Sequence, residues 1–273
     1  MSFAEATLWT IGSVVLVVSL YQNGTRFFPA IQHDPGASSL LQVVAYLALI
    51  LLMQYVYFPK TKLTEIFALR PAKWMFYPIA ALLGVAILFP TSAIYEAALA
   101  RWPVEEAQGT EILKGFWTMP VWRKVVAGAG LCVVTPLVEE VMFRGALFGT
   151  LRRRHSAPLV VLMTASLFAM VHLQSQILVP IAIVGAALAF LRVASGSMWP
   201  GVVLHVAFNS LSFYSQVTAG PSGGDEPTPT WQVLAGTVVT AGLLALAEHL
   251  RTRKVYTLPD IEHPVDPPEE EER

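Results

Sequence analysis

An all-α bundle of about eight membrane-spanning helices is the fold this sequence predicts, and three observations predict it. The composition is apolar, 55% hydrophobic and only 14% charged with a mean hydropathy of +0.56, where soluble domains carry roughly 25% charged residues. Eight apolar runs recur along the 273 residues, most of them near the length that crosses a bilayer. The basic residues of the loops between them alternate in density, as an oriented membrane protein requires. A net charge of -1 with no basic stripe gives no footing for a nucleic-acid partner; membrane lipids are the expected surroundings.

The elements follow in order. Met1 to Thr10 carries Glu5 and no Lys or Arg, so it lacks the basic leader of a signal peptide and the first run, Ala6 to Tyr21, is expected to stay as a span. Further spans are predicted over Leu40 to Phe58, Trp74 to Leu99, Val121 to Leu151, Pro158 to Leu173, Ile177 to Leu191, Met198 to Val217 and Trp231 to Leu250. The fifth and sixth are short and are joined only by Gln174-Ser175-Gln176, so a tight or re-entrant hairpin is expected there. Arg101 to Pro120 reads either as an interfacial amphipathic stretch or as a plain loop, and Gly220 to Gly224 as a flexible turn. Residues 1–255 then form one membrane domain, followed by an acidic, Pro- and Glu-rich tail, 256–273, expected to be disordered.

If eight segments alternate, eleven loop cations fall on one side, among them Arg70, Lys73, Arg152, Arg153, Arg154, Arg192 and Arg251, and five on the other. That side is cytoplasmic by the positive-inside rule, so both termini are expected in the cytoplasm, and in a prokaryote the membrane would be the inner one. Trp74, Trp102, Trp122, Trp199 and Trp231 stand at segment ends, where indoles anchor at the interface. Cys132 is the only cysteine, so neither an intrachain disulfide nor a Cys-based zinc site can form, and it reads as a small apolar filler.

Inside the fourth run stands Val138-Glu139-Glu140-Val141-Met142-Phe143-Arg144-Gly145. An ionisable group in a bilayer costs about 2.5–3.5 kcal/mol on insertion scales, so three within six positions point to a functional site. Glu140 and Arg144 share a helical face at i and i+4 and can pair, while Glu139 is turned about 100° away toward another neighbour. A buried Glu-Arg clasp that only holds the bundle is the structural alternative. Pro136 cannot donate to the carbonyl of Cys132, so a kink is expected there. Two further polar groups lie in apolar runs: His172, one turn after Phe168, and the pair His205 and Asn209 on one face of the seventh segment. At about 1.5 Å per residue, Glu140 is roughly 18 Å from Arg152, His205 roughly 20 Å from Arg192 and His172 roughly 27 Å from Arg154, so the three can meet if the fifth helix starts late or tilts.

This set has what peptide hydrolysis needs: a base for water, donors for an oxyanion and an acid for the leaving amine. The expected arrangement has Glu139 held against His172 over a water, with His205 and Asn209 donating to the oxyanion and Glu140 with Arg144 supporting the site. Glu139, His172 and His205 are also the carboxylate and two imidazoles of a catalytic zinc site, so a divalent metal is the second reading. A proton or solute path, or a non-catalytic immunity or scaffold protein, is the third, although the polar groups gather in one place and no inverted repeat is visible. Serine elbow, Walker loop, dinucleotide fingerprint and His-Glu-x-x-His all lack a fitting context.

In Glu139-Glu140-x-x-x-Arg144, Phe168-x-x-x-His172 and His205-x-x-x-Asn209, in that order over about 121–217, the chain resembles the CAAX prenyl endopeptidase and bacteriocin-processing family of intramembrane proteases, also called the abortive-infection family. The resemblance implies an eight-helix intramembrane endopeptidase with its site open toward the cytoplasm. It also implies Glu139 as general base with His172 sharing the water, His205 and Asn209 at the oxyanion, and a membrane-associated peptide or lipidated protein as substrate. Both metal-dependent and glutamate-dependent members are described in this family, and the glutamate route is the expectation here.

Overall fold

The computed structural model describes residues 1–29, 31, 35–57, 64, 67–103, 116–117, 119–219 and 227–251. Most of the stretch Arg101 to Pro120, the Gly220 to Gly224 turn, the tail and the loop residues Lys60, Lys62 and Lys114 lie outside them. The described chain folds as α1 (Phe3–Phe27), α2 (Pro35–Tyr57), α3 (Phe76–Arg101), α4 (Val121–Leu151), α5 (Ala157–Met170), α6 (Ser175–Ser195), α7 (Trp199–Ala219) and α8 (Thr230–His249). No strand occurs among the described residues, so the polytopic helical bundle is the observed architecture. Six of the eight helices are long and apolar enough to cross a membrane; α5, with 14 residues, is shorter.

Helix ends outrun the apolar runs where local polar chemistry extends them. At the start of α1, Ser2 Oγ accepts from Glu5 N–H while Glu5 Oε2 accepts from Ser2 N–H, a capping box that sets the first turn ahead of the hydrophobic stretch. At the end of α6, Gly196 turns left-handed (φ 70°) and its N–H returns to Arg192 O. That turn packs on the segment before α3. Ser197 Oγ donates to Arg70 O (2.6 Å), Arg70 Nε donates to Gly196 O (2.8 Å) and Trp199 Nε1 donates to Leu69 O (2.9 Å). Trp199 is therefore turned inward, whereas Trp74, Trp102, Trp122 and Trp231 are exposed at helix ends as interfacial anchors would be.

α3 is the central post, against which α6, α7 and α8 pack. Membrane helices associate by close packing of small residues, since lipid tails remove the hydrophobic drive. Two glycines show it. A Cβ on Gly84 of α3 would stand 2.5 Å from Leu204 O of α7, and one on Gly236 of α8 would stand 2.8 Å from Ala86 O of α3. Outward faces, such as Leu8 and Val15 on α1 and Leu234 and Val238 on α8, leave large apolar side chains exposed for lipid.

The α5–α6 hairpin is tight, but it does not stop at mid-depth. Gln176 Nε2 donates to Trp102 O (2.9 Å), which sets the connection level with the far end of α3. His172, expected within the fifth helix, stands instead in the turn after it. α5 ends at Met170, His172 N–H bonds Ala169 O, and Leu173 takes a left-handed φ of 55° as the chain reverses.

Candidate active site

α4 is one helix of uneven gauge. It widens to i→i+5 bonding over Gly130–Val134 and again over Val141–Leu147, with the normal turn Thr135–Glu140 between. The sequence predicts a kink at Pro136. The structure meets the missing donor by widening, with Thr135 N–H bonded to Gly130 O. Such π-turns cluster at functional sites because they rotate and separate side chains that a regular helix would keep in register. The two glutamates sit between them.

Glu140 and Arg144 pair as expected. Arg144 Nη1 donates to Glu140 Oε1 at 2.9 Å, and both side chains are 0% exposed. Arg144 Nη2 donates to Gly185 O of α6 (2.9 Å), and its guanidinium lies 4.4 Å from the ring centroid of Phe168. A buried ion pair survives desolvation only with such added partners. Gly185 permits the contact, since a Cβ there would meet Ala165 and Phe168 at 3.2 Å. On the far side of the carboxylate, a Cβ on Gly201 of α7 would stand 2.8 Å from Glu140 Oε2.

His205 lies between the two glutamates. Its Nδ1 is 3.3 Å from Glu140 Oε1, and its Nε2 is 3.6 Å from Glu139 Oε2. A carboxylate can only accept, so Nδ1 carries the proton and Nε2 is the nitrogen beside Glu139. The other oxygen of Glu139 is held by a residue that no motif names: Gln42 Nε2 of α2 donates to Oε1 at 2.7 Å. Gln42 is a polar residue inside an apolar span, and that was the available sequence signal.

His172 and Asn209 complete the wall. His172 Nδ1 donates to the carbonyl of Phe168 (2.9 Å), a last-turn oxygen otherwise without a helical partner, so Nε2 keeps a lone pair for the cavity. Asn209 Nδ2 donates one N–H to Leu131 O (3.2 Å), an oxygen in the widened turn, and retains the second. The ring of Phe168 stands edge-on between the histidines, 5.1 Å from His172 and 5.6 Å from His205. The structure thus gives Glu139 His205, rather than His172, as its imidazole neighbour.

These groups share a cavity of about 340 Å3, lined by Leu131, Thr135, Glu139, Phe168, His172, Ile181, Val184, His205, Phe208, Asn209, Ser212, Phe213 and Gln216. Its size falls in the range of small-molecule pockets, and its mix of apolar walls with a few convergent polar groups is that of a binding site. Glu140 and Arg144 lie behind the wall. Among the described residues no three His, Cys, Asp or Glu side chains converge as a metal site would need, although the Nδ1–H bonds of His172 to Phe168 O and of His205 to Glu140 leave their Nε2 atoms free, the arrangement that ligating imidazoles use.

Neither a curated protein nor a solved structure matches the chain. Residues 120–211 match the family model described as type II CAAX prenyl endopeptidase Rce1-like. That stretch runs from the start of α4 to the middle of α7 and contains Glu139, Glu140, Arg144, His172, His205 and Asn209, though not Gln42. Over that third of the chain the protein is similar to the CAAX endopeptidase family that its three motifs resemble.

Proposed function

We propose that this protein is an intramembrane endopeptidase that hydrolyses a peptide bond near the end of a membrane-associated protein or peptide, using water activated by Glu139. The observation that carries the reading is the convergence of Glu139, His172, His205 and Asn209 on one cavity within a bundle of apolar helices. Water bound between Glu139 and the lone pair of His172 loses a proton to the carboxylate as its oxygen attacks the carbonyl carbon. The second Asn209 N–H then donates to the developing oxyanion. When the tetrahedral carbon collapses, the C–N bond breaks and the proton held by Glu139 passes to the departing nitrogen, giving a carboxylate and a free amine.

Glu140 and Arg144 act through position. Glu140 accepts from His205 Nδ1 and fixes its tautomer, and Arg144 ties that carboxylate to α6. No step is routed through a metal, because the donors do not gather around one point. Chelator treatment of the membrane fraction is accordingly expected to leave turnover unchanged. The broader test compares protein termini in cells carrying wild-type protein, Glu139→Gln or neither. Termini lost equally in the variant and the deletion identify substrates and support the reading. A deletion phenotype fully rescued by Glu139→Gln, with no terminus altered, replaces it with a scaffold or immunity role.

A further inference from the structure

Three arginines gather where α4 and α6 end, and no described carboxylate answers them. Arg192 stands in the last turn of α6, its guanidinium 5.3 Å from the ring centroid of Phe148 on α4. Arg152, one turn after Phe148, closes the end of α4, and its Nη1 donates to His155 O (2.6 Å). Arg70, in the segment before α3, donates from Nε to Gly196 O (2.8 Å), just past Arg192. Arg70 and Arg152 are the charges that act on Arg192, and both repel it. The carboxylates of the described residues are committed elsewhere: Glu5 to Ser2, Glu96 to Thr228, Glu139 to Gln42, Glu140 to Arg144 and Glu248 to Arg251. Like charges held together at a partly desolvated helix end cost free energy that an anion would offset.

Arginines near a helix C-terminus commonly serve the last carbonyls of their own helix. Arg192 does not. Its Nε–H points across to Arg144 O, in the widened turn of α4 (3.4 Å). Neither Nη of Arg192 has a hydrogen-bond partner among the described residues, yet neither is sealed from the surroundings. The guanidinium is thus held by the ring of Phe148 and the carbonyl of Arg144, while its donor edge is left for a ligand.

We propose that Arg192 and Arg152, with Arg70 adding its charge, form a binding site for a phosphate group, separate from the hydrolytic cavity, whose lining contains none of the three. A carboxylate has two oxygens and matches one guanidinium fork. A phosphate has more, and it bridges forks that come from two helices. Basic pockets between membrane helices take lipid headgroups in this way, and the site lies at a helix-end level of the bundle, the one where Lys73 Nζ donates to Leu250 O. Inorganic phosphate offers the same oxygens. Either ligand ties the end of α6 to the end of α4, so occupancy is read as thermal stability.

The test places purified full-length protein in nanodiscs of phosphatidylcholine, of phosphatidylcholine with phosphatidylglycerol, and of phosphatidylcholine with inorganic phosphate added at constant ionic strength. Thermal unfolding is followed for wild type, Arg192→Gln, Arg192→Lys and Arg154→Gln, the last a control for diffuse charge because Arg154 is exposed. Phosphatidylglycerol is expected to raise the unfolding temperature of wild type and of Arg154→Gln; Arg192→Gln loses the rise and Arg192→Lys keeps part of it. A matching rise with inorganic phosphate makes the phosphate group itself the ligand, and a rise with phosphatidylglycerol alone makes it a lipid headgroup. No rise with either, a rise undiminished in Arg192→Gln, or one lost equally in Arg154→Gln overturns the site. If Arg192→Gln does not fold, Arg152→Gln takes its place, with the same loss expected and an undiminished rise overturning the site.

Discussion

Glu139 is oriented by two neighbours of different standing, His205 at 3.6 Å and Gln42 at 2.7 Å. Only the first belongs to a motif. A hydrogen bond to a charged group is worth about 1.5–3 kcal/mol, so Gln42→Ala is expected to lower kcat roughly ten- to hundredfold with little change in thermal midpoint, measured with one peptide substrate. Arg144→Ala would strand the buried carboxylate of Glu140 and cost about 3–5 kcal/mol, read as a fall in thermal unfolding temperature in detergent and a loss of activity together. Arg144→Lys should rescue only part, because an ammonium cannot replace the forked contacts to Glu140 and Gly185 O. The i, i+4 pair was legible in the sequence because it lies within one helix. The contacts of Gln42 and of His205 were not, because they depend on how distant helices meet.

The element scale explains why spacing alone misplaced some groups. Eight apolar runs predicted eight helices, and eight are observed among the described residues. Helical-wheel reasoning assumes 3.6 residues per turn, and the widened turns on either side of the glutamates break that assumption. Likewise, apolar residues continue past Met170, so hydropathy carried the fifth helix through His172, whereas the left-handed Leu173 ends it earlier. Glycines then set how near the helices come. Gly201 lies one turn before His205 on α7, and a methyl there would press on Glu140 Oε2. Gly201→Ala is expected to reduce activity and stability by about 1–3 kcal/mol, the usual cost of overpacking, despite alanine's better helix propensity. Gly12→Ala on α1 meets nothing within 4 Å and should leave both unchanged. Thermal melts of the two variants side by side check the contrast.

At the scale of the whole molecule, the described basic residues Arg70, Lys73, Arg152, Arg153, Arg154 and Arg251 lie toward one end of the bundle, and the candidate-site cavity extends from Glu139 and His205 toward the other. The loops gave the charge asymmetry from sequence alone; the direction of the cavity required knowing which ends of α4 and α7 line it. Replacing Arg152, Arg153 and Arg154 with Gln removes three of the eleven cations on the basic side and is expected to yield a mixed orientation, seen as partial protease protection of a C-terminal reporter. A single unchanged orientation would mean that the remaining loops suffice. The account as a whole rests on one carboxylate taking a proton from water. Its most direct measurement is the rate of peptide hydrolysis by purified wild-type protein and Glu139→Gln, alongside their thermal unfolding. The expected result is a fall of at least about a hundredfold, the scale of general-base catalysis, with the unfolding temperature preserved. A folded Glu139→Gln protein that turns over at the wild-type rate would contradict it.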